Sequence, residues 1–225
     1  QFVTKIADHR SAAQNKSRAL KAGDKLPLKS GKTPFGIQIV TASREVISNT
    51  GKPNPFAKLH EPKPEDKSDN AASLSFLLEF GRFRFLCCGD LTWNIEAKLM
   101  TPNNPIGQVD MFMVTHHGLP SSNNPVLVRA IDPRVAVMCN GPTKGGAESV
   151  IKTLRACQSL KTLYQLHRNV KLDPKLQTPP RFIANGGQTE GCEGTWVKAR
   201  VAPGGKKFTV QIGPEGKPRK YKSRS

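Results

Sequence analysis

The chain has 225 residues, with 35 Lys and Arg against 17 Asp and Glu, for a formal net charge of +18. At 36% hydrophobic residues it holds enough apolar material for one sizeable core, which excludes wholesale disorder. No window approaches the ~18 apolar residues of a membrane-spanning helix, so a soluble chain without a membrane span is expected.

The first residues, Gln1-Phe2-Val3-Thr4-Lys5, hold no apolar signal region, and the chain does not begin with Met. Residues 1–20 read as a basic N-terminal segment. The compartment is left open, with export depending on an upstream signal. A polar run over 8–24 closes on the turn Gly23-Asp24, and Gly36 to Thr41 alternates like a strand. Residues 48–70, rich in Pro, Lys, Asp and Asn, read as a long surface excursion. Two strands, 73–80 and 83–88, then form a hairpin about Gly81-Arg82. The second strand stops at Gly89-Asp90, and a helix-like segment runs from Leu91 to Met100. Residues 109–115 form a buried-looking strand that ends in His116-His117-Gly118. A short helix over 124–131, a strand over 134–139 and a helix over 148–157 follow. A strand at 163–166 ends in His167, and two late strands cover 195–201 and 207–212. Strand–helix alternation with added hairpins predicts a mixed α/β (α+β) layered fold.

The charge is uneven. Residues 1–32 hold eight basic and two acidic residues, and residues 198–225 hold nine basic and one acidic. The basic tail over 214–225 reads as a solvated, frayed terminus, with binding to the phosphates of nucleic acid as its functional alternative. Five cysteines, at 87, 88, 139, 157 and 192, are odd in number and lack CxxC spacing, which points to buried thiols. Cys87 and Cys88 are expected on opposite faces of a strand, and Trp93 and Trp196 in the core.

Three strands end in residues that bind metals: Asp90, the His116-His117 pair, and His167. Strand ends are where α/β folds place ligands and catalysts, and imidazole with carboxylate suits zinc or another borderline cation. Taken singly, Asp90 reads first as the N-cap of the helix that follows it, ahead of a metal ligand, and His167 as a structural or surface histidine. Two imidazoles beside a glycine, straight after an apolar strand, are a poor choice for core packing. Asn140 to Gly146 is a Gly-rich loop between a strand and a helix. It departs from the phosphate-loop pattern and reads as a plain turn, with Lys144 placed to touch an anionic substrate. Ser121-Ser122-Asn123-Asn124 reads as a polar loop or as a wall of the same cleft.

These residues resemble the second half of a metallo-β-lactamase-fold hydrolase, in the branch related to the metallo domain of DNA-uptake channel (competence) proteins. The resemblance is nearer still to bacterial hydrolases of that fold. It rests on Gly23 to Leu28, Arg82 to Leu86, Gly89 to Asn94, Thr115-His116-His117-Gly118 and Asn140-Gly141, and it covers about Lys21 to about Tyr221. It implies an αββα sandwich over 21–213, incomplete at its N-terminal side, with a metal site, usually binuclear zinc, at the sheet edge. Asp90 matches the carboxylate that bridges the metals. His116 or His117 matches the late histidine motif, as metal ligand or catalytic group. His167 stands as substitute for a further histidine, because Gly145-Gly146-Ala147 occupies its usual place. The family's main motif, His-x-His-x-Asp-His, is missing: the five histidines lie at 9, 60, 116, 117 and 167, none spaced by a single residue. The chain therefore reads as the C-terminal part of a longer enzyme, or as a degenerate homologue. The activity implied is metal-dependent hydrolysis of an ester, amide or phosphodiester of a small-molecule or anionic substrate. The alternative is an inactive, basic binding module for an acidic polymer.

Overall fold

A computed structural model describes residues 2–14, 16–186 and 192–224. The predicted N-terminal segment begins at Gln1 and the predicted tail ends at Ser225, both outside the described residues. The chain opens with a helix, α1 (Phe2–Ala12), on residues read from sequence as a basic polar segment. Strands β1 (Phe35–Ala42), β2 (Glu45–Val46) and β3 (Lys52–Pro53) come next. The hairpin β4 (Ser75–Phe80) and β5 (Phe83–Cys87) leads into helix α2 (Trp93–Met100), then β6 (Asn103–Asn104) and β7 (Met111–Met113). Helix α3 (Pro125–Ile131), β8 (Val135–Met138), α4 (Glu148–Arg155) and β9 (Thr162–His167) continue the alternation. Strands β10 (Ile183–Asn185), β11 (Val197–Val201), β12 (Lys207–Ile212) and β13 (Arg219–Lys222) complete it.

Eight strands form one mixed sheet in the order β10-β9-β8-β7-β5-β4-β1-β2. The run β10-β9-β8-β7-β5 is parallel, and β5-β4-β1-β2 is antiparallel. Helices α2, α3 and α4 cover one face, where Leu86, Phe112 and Ala136 pack against Leu99, Leu127 and Ile151. A three-stranded antiparallel sheet, β11-β12-β13, covers the other, with Phe208, Val210 and Tyr221 set against Phe83, Met111, Val135 and Tyr164. Alternation along these strands accounts for both contacts, since a strand buried on two faces reads as a near-continuous apolar run.

The result is a mixed α/β fold of three layers. The outward positions of the small sheet are Lys198, Arg200, Lys207, Thr209, Gln211, Lys220 and Lys222, as strand alternation from the buried Phe208, Val210 and Tyr221 requires.

Three expectations are corrected. The C-terminal run is not a frayed end: β13 pairs with β12, and Tyr221 is buried, stacked on Phe208 with ring centroids 5.2 Å apart. Trp196 is 40% exposed and does not pack the core. The excursion over 48–70 returns to the fold, since Asn54 is buried and donates to the carbonyls of Met100 (2.8 Å) and Val126 (3.0 Å). No described helix is long and apolar enough to cross a membrane.

Candidate metal centre

The parallel strands bring their C-terminal ends to one rim. Gly89, at φ +58°, occupies the left-handed region and turns the chain after β5 so that Asp90 stands at that rim. Thr92, not Asp90, is the residue that precedes α2, so the helix leaves the carboxylate of Asp90 free of capping. Next door, β7 runs into a tight turn in which His116 (φ 49°) and His117 (φ 56°) both adopt left-handed backbone. That conformation is uncommon outside glycine and costs on the order of 1 kcal/mol per residue, and such strain gathers at functional sites. The backbone N–H of His116 donates to the Gly89 carbonyl at 3.0 Å, which ties the two rims together.

The side chains meet around Asp90. His116 Nε2 lies 4.0 Å from Oδ2, and His117 Nε2 lies 3.9 Å from Oδ1. Their protonation follows from the outer partners. His117 Nδ1 is 2.9 Å from the Cys139 carbonyl, an acceptor only, so Nδ1 carries a proton and Nε2 is the nitrogen turned to Asp90. Ser122 spends its hydroxyl proton on the Leu91 carbonyl (2.7 Å) and so accepts from His116 Nδ1 at 3.2 Å. The Asn70 amide lies 3.4 Å from His116 Nε2, the donor to a bare nitrogen. Burial is the main cause that holds His116 below the usual histidine range, opposed by Asp90 and reinforced by His117 and Lys144. The Nε2 atoms of both imidazoles therefore face the two oxygens of one carboxylate. A proton or a bound cation shared between them would satisfy the group.

The loops behind the pair are braces. Asn123 is buried and grips Thr115 from both sides, accepting from its N–H (3.1 Å) and donating to its carbonyl (2.9 Å). The loop read as a plain turn lies directly under the histidines: Gly146 donates to the His117 carbonyl at 2.9 Å. At Gly145 (φ +80°) a Cβ would stand 2.1 Å from that same carbonyl oxygen, so only glycine fits. Ser121 and Ser122 do line the site, beside His116.

His167 is not part of this group. It ends β9, which is separated from β7 by β8 and from β5 by two strands. At about 4.8 Å per strand, it stands roughly 10 Å along the rim from the histidine pair. Its backbone is tied to the rim through a carbonyl that accepts from Asn140 Nδ2 at 2.7 Å. Among the described residues, no group of three or more His, Cys, Asp or Glu side chains is arranged to hold a metal ion. Asp90, His116 and His117 stand close together without closing into such a group.

Sequence reasoning missed Asn70, on the long excursion, and Glu96 of α2. Glu96 is fully buried behind the histidine turn and accepts from the Asn124 N–H at 2.7 Å. Burial pushes its carboxyl up to about 7, with the Asn124 and Asn123 N–H groups pulling the other way. A charged residue inside an amphipathic helix gives no sign of which face is buried, though its place one turn after Thr92 could have raised the question.

No family model matches the chain. No curated protein matches it either. A solved structure from Parabacteroides distasonis ATCC 8503, provisionally named a metal-dependent hydrolase, matches with a TM-score of 0.36 and 16% identity over 72% of this chain and 61% of that one. The chain thus spans about three fifths of the length of that structure. A likeness at this level carries no weight for fold or function.

Proposed function

We propose that this chain carries part of the metal centre of a hydrolase of the metallo-β-lactamase superfamily, with Asp90, His116 and His117 as zinc ligands. One observation supports the reading above all: each oxygen of Asp90 faces an imidazole Nε2, at 3.9 and 4.0 Å. Two imidazoles and a carboxylate are a donor set suited to zinc, and three protein donors with an open position is the pattern of catalytic zinc sites. Zinc held there would lower the pKa of bound water and polarise an ester, amide or phosphodiester.

The remaining work falls to the chain's own groups. The Cys139 carbonyl and Ser122 hold the two imidazoles in the tautomer that leaves Nε2 free. Asp90 and His117, with side chains 38% and 36% exposed, stay open to solvent and substrate, whereas His116 is 11% exposed and fixed. Lys144, close enough to His116 to depress its basicity, supplies positive charge for an anionic substrate. The test is zinc content after dialysis, with hydrolysis of a phosphodiester and lactone panel by the zinc-loaded protein and by Asp90→Ala. Stoichiometric zinc and turnover lost in the variant are expected; equal zinc and equal rates overturn the reading.

The second reading, a basic module for an acidic polymer, is favoured by one specific feature. The outer face of the small sheet carries Lys198, Arg200, Lys207, Lys220 and Lys222, with Thr209 and Gln211 as its only other outward residues. Lys207 stands directly opposite Lys222, a like-charge pair that destabilises a sheet unless anions neutralise it. These cations suit the phosphate backbone of nucleic acid, and the exposed Trp196 ring under Lys198 Nζ, 5.5 Å away, adds one surface on which a base could stack. Duplex DNA affinity that falls steeply with salt, and is lost in Lys198→Glu/Arg200→Glu/Lys220→Glu, supports it. Salt-independent binding removes it.

A further inference from the structure

A cavity of about 640 Å³ opens at the end of the fold opposite the candidate metal centre. Its walls include Gln108 and Asp132, which precede strands β7 and β8, whereas His116 and Asn140 follow those strands. At about 3.3 Å per residue, the two sites lie on the order of 20 Å apart. We infer that this cavity binds a small organic oxyanion, a carboxylate or phosphate monoester on an apolar body, with Arg129 as the anion-reading group.

Arg129 is the reason. Its guanidinium stacks over the Phe56 ring, 4.5 Å from the centroid, so the fork is held flat and in place. Its Nε is buried and has no hydrogen-bond partner among the described residues. A guanidinium is always charged, and burying one of its donors without an acceptor is costly. The carboxylate on the cavity wall, Asp132, is committed elsewhere. It accepts from Ser159 N–H (2.9 Å) and Oγ (2.6 Å), from Gln108 Nε2 (3.2 Å) and from Arg224 Nη2 (3.4 Å). Lys52 adds a second cation to the wall. With Nε turned away from the open space, a ligand in the cavity meets the guanidinium at its two Nη groups, an edge that carboxylates and phosphates match with two parallel hydrogen bonds.

The rest of the wall says what hangs from the anion. Phe56, Pro55 and Ile106 are apolar, and the volume lies within the range of small-molecule sites. Inorganic phosphate would leave that surface unused. The wall also contains Cys157, whose thiol burial pushes up to about 12 and whose Sγ faces the Val128 carbonyl at 3.4 Å. A thiol so held is not a nucleophile at neutral pH, and the cavity is a place for binding rather than covalent chemistry.

Calorimetric titration of the full chain, stripped of metal by a chelator so that the other rim cannot take anions, tests this. The probes are 3-phenylpropionate, phenyl phosphate, inorganic phosphate and the neutral 3-phenylpropanol. Both aromatic anions should bind at least tenfold more tightly than inorganic phosphate, and the alcohol should not bind measurably. Preference for one aromatic anion over the other then tells a carboxylate ligand from a phosphate ester. Arg129→Gln should weaken the aromatic anions at least tenfold, and Arg129→Lys, which keeps charge but loses the fork, by several-fold. Should the substitutions at Arg129 unfold the protein, Gln158→Glu at the exposed mouth should weaken both anions several-fold and leave the fold intact. Anions that bind no better than the alcohol, affinity unchanged by the folded variants, or no binding by any probe would overturn the proposal.

Discussion

Asp90 Oδ1 and His117 Nε2 stand 3.9 Å apart, while His117 Nδ1 is turned away onto the Cys139 carbonyl. A cation bound between two such donor atoms would draw them together. The arrangement therefore reports on metal affinity directly. Asp90→Asn keeps shape and removes charge; His117→Ala removes one lone pair. Each should lower zinc affinity by about ten- to a hundredfold or more, the range known for losing a ligand's partner or support. His167→Ala, at a strand end farther along the rim, should leave it unchanged. Zinc competition against a chromophoric chelator measures all three.

Gly145 tests whether the loop under the histidines positions them. A methyl group there would overlap the His117 carbonyl oxygen, at 2.1 Å, and the backbone sits at φ +80°. Gly145→Ala must therefore shift the loop or the histidine turn. A stability loss of about 1–3 kcal/mol is expected, together with weaker zinc binding although no ligand has been touched. Chemical denaturation and the same zinc competition separate the two effects. An alanine variant with unchanged stability would show that the loop gives way freely.

Glu96 makes the fold sensitive to pH. Its carboxyl, pushed up to about 7 by burial, keeps a proton in the folded state that the unfolded chain, near 4.5, has already released. Between about pH 4.5 and 7 the native state thus binds the extra proton, so this residue's contribution to stability falls as pH rises through that window. The span corresponds to about 3 kcal/mol as an upper figure. Glu96→Gln, which retains an acceptor for the Asn124 N–H, should flatten the difference between pH 5 and pH 8. Urea midpoints for both proteins at the two pH values give the answer, and parallel curves would remove Glu96 as the cause.

What could be read beforehand was local. Alternation at 73–80 and 83–88 gave the hairpin, and the apolar run before His116 gave β7, because a strand's side-chain period is written in neighbouring residues. The convergence of Asp90 with the histidine pair was likewise foreseeable from two strand ends, since β5 and β7 are adjacent in the sheet. Strand order beyond neighbours is not local information, and it is what puts His167 beyond reach. Asn70 and Glu96 escaped notice for a related reason: a polar residue gives no sign of burial until the partner that satisfies it, such as the Asn124 N–H, is folded against it. The same holds for the C-terminal run, whose Lys and Arg content concealed a single inward-facing residue in each pleat.

That C-terminal strand yields the sharpest contrast between a solvated tail and a structural element. Tyr221 donates to Thr162 Oγ1 at 2.8 Å and meets the Tyr164 hydroxyl at 2.8 Å, both on β9 of the large sheet. Three residues on, the Arg224 N–H donates to Asp110 Oδ1 at 2.7 Å, while the Arg84 N–H holds Oδ2 at 3.0 Å. Asp110 is fully buried, and burial raises its carboxyl against the pull of these partners. Removing 219–225 would strip the small sheet of an edge, expose Phe208 and leave a buried carboxylate without one of its two backbone donors. Tyr221→Phe should cost about 1–2 kcal/mol through the lost hydroxyl bonds, and Tyr221→Ala about 3–5 kcal/mol through the cavity left beside Phe208. The truncated chain should lose cooperative unfolding altogether. A frayed tail would leave the urea midpoint unmoved in all three, and that result would return residues 219–224 to the solvent.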